Sequence, residues 1–205
     1  MGMLWTGVAM IARVGVWCGG AMMFIAAAVV TAEVLLRKGL GAVVGTGFVF
    51  SGSDEISSFL FAVGTSWSLA YVLVTRGHVR IDVLYGAFGP RTRVLLDLFA
   101  LLMLGLFTAA LVERSWDVAS TSYVDEIRSN SPQRLLLAWA QIPWFGGIAL
   151  FFIAIVLAFL RSLTSLLRGD YATAAAIAGA ATQDEEIESE LEGLGIPRDR
   201  AGRGS

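Results

Sequence analysis

The sequence predicts an all-α polytopic membrane protein with four transmembrane helices and both termini in the cytoplasm. Three observations predict it: a mean hydropathy of +0.71 with 16% charged residues, four long apolar runs, and an uneven distribution of arginine among the segments between them. Soluble domains are about a quarter charged, so most of this chain has to face lipid.

A hydrocarbon core about 30 Å thick takes about 20 apolar helical residues. Residues 14–32, 56–75 and 135–160 meet or approach that length without a charge, and 94–112 does so with one interruption, Asp97, near its start. The spans are therefore placed at about 14–36, 56–75, 94–114 and 137–160, within a membrane domain 1–168. The start of the chain lacks the basic residues of a signal peptide, and the apolar run after Arg13 is too long for one, so the first span is expected to remain in the protein. Between the first two spans, 39–53 is uncharged but short, and its five glycines weaken a helix. It is expected to be a connector at the interface, with a re-entrant segment as the alternative. The tail, 169–205, is Ala-rich and then acidic, and is expected to be cytoplasmic and disordered or partly helical.

Basic residues set the orientation, because lysine and arginine are retained on the cytoplasmic side. Arg76, Arg80, Arg91 and Arg93 fall between the second and third spans, and Arg161, Arg168, Arg198, Arg200 and Arg203 follow the fourth; Arg13 precedes the first. The opposite side has fewer: Arg37, Lys38, Arg114, Arg128 and Arg134. Four spans with both ends inside satisfy that split.

Enzyme chemistry lacks the inventory it needs. His78 is the single histidine and Cys18 the single cysteine, so paired axial haem ligands, a Cys-x-x-Cys couple and an internal disulfide are all excluded, and no metal cluster stands out. No catalytic, cofactor or metal site is expected, and nothing points to nucleic acid. Nor does any span carry an ionisable group at its centre, as a proton- or ion-driven carrier would. Arg13, Glu33, Asp97 and the pair Asp54 and Glu55 lie near span ends. Glu33 with Arg37, and Arg93 with Asp97, are four apart and suited to pairing on a helix surface.

Features that serve helix packing are present instead. Gly15 and Gly19 form a small-xxx-small ridge, which either admits a neighbouring backbone or reflects a glycine-rich composition. Trp116, Trp139 and Trp144 suit an aromatic belt on the side away from the cytoplasm. Trp67 lies mid-span, where its indole N–H requires a partner that lipid cannot give. Pro143 costs little at a helix start and otherwise implies a kink.

The stretch TRGHVRIDVLY, 75–85, gathers His78, Arg80 and Asp82 on the cytoplasmic side. Polar and apolar residues alternate from His78 to Val83, which suits an extended segment with one wet face. As physics alone, this is either a snorkelling basic loop that fixes topology or a loop in which Asp82 pairs with an arginine.

The succession SGSDEISSFLF at 51–61, RGHVRIDVLYGAFGPRTRVLLDL at 76–98, with Asp54 and Glu55 opening the second span, Pro90 and Arg93 in a Pro-x-x-Arg turn and Asp97 early in the third span, resembles the small membrane subunit of tripartite ATP-independent periplasmic (TRAP) transporters, the DctQ type. The resemblance covers roughly 13–160 and stops before the tail. It implies four membrane helices in the bacterial inner membrane and no substrate site of the chain's own. It also implies two protein partners, a large membrane subunit that carries out sodium-coupled uptake of organic acids and a periplasmic substrate-binding protein. The small subunit would be a scaffold that braces the large one. Asp54, Glu55, Trp67, His78, Arg80, Asp82, Arg93 and Asp97 are the residues expected in the partner interface or in structural pairing. The alternatives are a self-sufficient small channel or carrier, which would need a polar stripe in mid-membrane, and a membrane enzyme, which would need a ligand or nucleophile cluster.

Overall fold

The structure is a computed structural model and describes residues 2–40, 52–77 and 89–179. Among these the chain is helical, with no strand. Helix α1 is Gly2–Leu35, continued by a π-helical turn, Leu36–Leu40. Helix α2 is Ser53–Val74, α3 is Pro90–Val124, α4 is Ala138–Leu167, and a short α5, Tyr171–Ala178, follows. The four long helices are each long and apolar enough to cross a membrane. Of the glycine-rich stretch 39–53, the part from 41 to 51 lies outside the described residues.

The apolar runs mark where hydrocarbon is crossed, but the helices extend further. At 34 and 35 residues, α1 and α3 are about 50 Å long, well beyond a hydrocarbon core of about 30 Å. α3 begins on Pro90, preceded by an extended Gly89, the arrangement in which proline starts a helix without loss. Past its apolar run it continues through Glu113, Arg114 and Asp117, where an exposed Arg114–Asp117 pair at 3.6 Å indicates a helix already in a polar setting. The connector to α4 is closed by an isolated antiparallel bridge between Arg128 and Leu136.

α1 packs on α2, α2 on α4, and α4 on α3, while α1 touches α4 only lightly. α2 and α3 follow each other in sequence, yet share no comparable contact among the described residues. The spans thus form a row, α1–α2–α4–α3, instead of a closed bundle. Small residues line its seams: Ala12, Ala70, Ala154 and Ala158 are buried together with Val8, Leu73, Leu101, Phe151 and Ile155. Small side chains bring backbones close, which matters in lipid because apolar burial alone does not drive helices together there. Large side chains point away from the seams, with Trp17, Phe24, Phe61 and Phe107 all well exposed.

The seam of α1 against α2 is a close one. A Cβ on Gly19 would stand 2.5 Å from the Gly64 carbonyl oxygen and 2.8 Å from Ser68 Oγ, and one on Gly15 would stand 3.0 Å from the Trp67 carbonyl oxygen. The small-xxx-small ridge is therefore occupied within the chain, by α2.

Candidate functional site

Because α2 and α3 stand on either side of α4 without substantial packing on each other among the described residues, a trough of about 640 Å³ runs between them. Phe61, Thr65 and Leu69 form one wall, Leu104, Phe107 and Leu111 the other, and Trp144, Ile148 and Phe151 the floor. A second crevice, about 680 Å³, lies between α1 and α2 around Met23, Val30, Ser57 and Phe61, and a third, about 210 Å³, between α3 and α4 around Leu102, Leu106 and Phe152. None of the three is lined by a charged side chain. Most of their hydroxyls are turned back to backbone carbonyls: Ser66 donates to Val63 at 2.8 Å, Thr108 to Leu104 at 2.7 Å and Ser58 to Asp54 at 2.6 Å. Thr65 Oγ1, in the trough wall, is buried without a partner. Among the described residues no group of three or more metal-ligating side chains occurs. Chemically, the trough and the crevice between α3 and α4 can accept apolar matter and little else, while the crevice between α1 and α2 adds the hydroxyls of Thr31, Ser57 and Ser58.

The walls of the trough are tied to each other at one end through the connector after α3. At the end where α2 begins, Glu55 accepts a hydrogen bond from Ser131 Oγ through one carboxylate oxygen, while the other is buried without a partner. Gly52 lies directly under Gln133, so close that a side chain at Gly52 would collide with it. The connector after α3 is thereby folded onto the start of α2. Asp54, next to Glu55, is exposed, and its carbonyl accepts from Ser57 and Ser58. Nearby, Glu33 at the end of α1 is 8% exposed; Arg37 Nη2 donates to its Oε1 at 2.6 Å, and Ser53 Oγ, from the first residue of α2, donates to its Oε2.

Trp67 Nε1 donates to the Pro143 carbonyl at 2.9 Å, so the partner of the mid-span indole comes from α4 of the same chain. Pro143 lies inside α4, past the first turn, where it removes one backbone donor. Trp67 also lies against Gly146. Trp116 meets Phe145 with ring centroids 5.1 Å apart, whereas Trp139 is 77% exposed.

At the opposite, arginine-rich end, Asp97 is buried and Arg93 is half-buried, each with an interaction to its surroundings. His78, Arg80 and Asp82 lie outside the described residues. The tail was expected to be disordered or partly helical, and sequence reasoning placed no helix at Tyr171–Ala178, the position of α5. Asp170 caps it, accepting from Thr173 N–H at 3.0 Å. Hydrogen bonds from Thr173, side chain first and backbone second, hold the exposed Asp170 carboxyl below its ordinary range. That contribution is complete above the ordinary aspartate pKa and fades as pH falls through the lowered one. The signal in the sequence was the Asp-x-x-Thr step just after Gly169, a helix-start pattern overshadowed by the alanine run.

The family model for the DctQ component of the tripartite ATP-independent periplasmic transporters matches residues 26–165. No match was found to a curated protein or to a solved structure. The matched segment runs from within α1 to the last turns of α4, and so takes in the trough and the clamp at the start of α2. This chain, with its row of four apolar helices, belongs to the DctQ family, the small membrane component of TRAP transporters.

Proposed function

We propose that the chain is a scaffold subunit, which braces a large membrane subunit while that subunit performs sodium-coupled uptake of organic acids handed over by a periplasmic substrate-binding protein. Its setting is the bacterial inner membrane, with both termini in the cytoplasm, and it has no catalytic role. The observation that carries this reading is the row of helices in which, among the described residues, the trough and the two crevices beside it are lined by no charged side chain. A carrier of ions or organic anions needs polar groups facing a cavity in mid-membrane. A row with apolar broad faces offers instead a long surface against which a second membrane protein can lie.

Reconstitution tests it. In proteoliposomes the chain alone should give no uptake. With the large subunit and the binding protein added, sodium-dependent uptake should appear, and omission of this chain should abolish it. Uptake by the chain alone would make it a self-sufficient carrier and overturn the scaffold reading.

Orientation is checked separately. With Cys18→Ser as background, a cysteine at the exposed Tyr123 should react with an impermeant thiol reagent added from the periplasmic side, and one at the exposed Thr75 should not. The reverse pattern would invert the arrangement expected from the arginine distribution.

A further inference from the structure

The arginine-rich ends of α2, α3 and α4 are joined by the segment that follows α4. After Arg168 the chain turns back, and α5 lies across α3 and α4: Ala174 is buried against Val94 and Leu98, Ser162 Oγ donates to the Ala174 carbonyl at 3.0 Å, and Arg91 lies over the Tyr171 ring at 5.4 Å. The end of α5 then reaches α2, where Arg76 Nε donates to the Gly179 carbonyl at 2.8 Å. Gly179 fits because its own backbone approaches closely: a Cβ there would run into the Ala175 carbonyl and stand 3.4 Å from Asp97 Oδ2.

The backbone of Arg76 gives this contact weight. α2 closes with Gly77 N–H on the Val72 carbonyl at 2.9 Å and Arg76 N–H on the Leu73 carbonyl at 3.1 Å, which puts Arg76 in the left-handed position at φ 59°. α4 closes in the same way with Gly169 as the left-handed residue, at φ 79°, whereas α3, like α2, ends on a left-handed non-glycine, Glu126 at φ 49°. Glycine is the ordinary occupant of that position, and an L side chain in it is disfavoured. At the end of α2 arginine occupies it although Gly77 is the next residue, and its side chain reaches α5.

We infer that residues 168–179 are a strap, with Arg76 as its catch, that sets the spacing of α2 and α3 on the arginine-rich side and thereby the affinity of this chain for its large membrane partner. The second half of that statement rests on the scaffold reading; the first does not. α2 and α3 have no substantial packing on each other among the described residues and each packs on α4, so the separation of their arginine-rich ends depends on α4 and on the α5 segment that bridges them there, and that separation fixes the width of the trough.

Spin labels at Thr75 and Leu95, both exposed, read the spacing in the full chain in nanodiscs with Cys18→Ser as background. Two variants are compared with it: Arg76→Gly, which keeps the left-handed turn and relieves its strain while removing the catch, and a truncation after Arg168. Both should lengthen and broaden the label distance, and both should weaken capture of the large subunit by about tenfold, within the range of ordinary coupling between sites. An unchanged label distance in both variants would remove the strap and leave the scaffold reading intact. A lengthened distance with unchanged capture would overturn the link between spacing and assembly. Failure of the parent chain itself to capture the large subunit would count against the scaffold reading, while the label distances would still decide the strap.

Discussion

Gly64→Val will separate α1 from α2 and lower the stability of the chain by about 3 kcal/mol, at the upper end of what overpacking ordinarily costs. A Cβ on Gly64 would stand 2.8 Å from the Gly19 carbonyl oxygen and 3.4 Å from Gly19 Cα. The obstructing atoms are backbone of a neighbouring helix, so no side chain can rotate away, and relief requires the two helices to move apart. That motion also opens the contacts of Gly15 with Trp67 and of Gly19 with Ser68. Gly20→Ala is the control, because a Cβ there meets nothing within 4 Å, and alanine is the better helix former. Unfolding of the purified chain in mild detergent, followed by tryptophan emission, should show a large loss for Gly64→Val and none for Gly20→Ala. Equal behaviour of the two variants would mean that α1 and α2 are not held at this glycine crossing.

The glycine crossing also shows how far the sequence could be read. Four apolar runs, their order and their helical state were legible, because length and absence of charge suffice to define a span. The partner of the Gly15 and Gly19 ridge was not, because Gly64 follows the rule only from the other helix, and a single chain does not disclose which helices touch. The same reason hid the row. Short connections suggest that neighbours in sequence are neighbours in space, but α4 intervenes between α2 and α3. Trp67 announced a need, a buried N–H, without naming Pro143 as the source of the carbonyl. Glu33 and Arg37 were legible as a pair from their spacing alone, yet the same spacing gave no hint of Ser53, which reaches the second carboxylate oxygen from across a connector. Arg76 was counted only as a topology-setting charge, since the glycine that marks a helix end stands one position later, at Gly77.

Arg37→Ala should destabilise the chain by about 2 kcal/mol, and Glu33→Leu added to it should restore part of the loss. Glu33 sits in the last turn of α1 with only 8% exposure, and both of its carboxylate oxygens are engaged, by Arg37 Nη2 at 2.6 Å and by Ser53 Oγ. Removing one member of a buried ion pair is costly chiefly because it strands the other, and full burial puts that cost at about 3–5 kcal/mol. Arg37 is 57% exposed, and water screening of its charge reduces the expected figure. The remaining hydrogen bond from Ser53 is neutral and cannot balance a carboxylate by itself. With leucine at position 33 the stranded charge is gone, and an apolar side chain occupies the site, so the double variant should be more stable than Arg37→Ala alone. Ser53→Ala should weaken the tie between the end of α1 and the start of α2 by about 1 kcal/mol in the parent chain and by nothing in the Glu33→Leu background. Denaturation of these five variants beside the parent chain closes the cycle. If Arg37→Ala were silent, or if the double variant fell below the single one, the carboxylate would not be the charged link between α1 and α2, and the start of α2 would have to be positioned by Glu55, Ser131 and the connector alone.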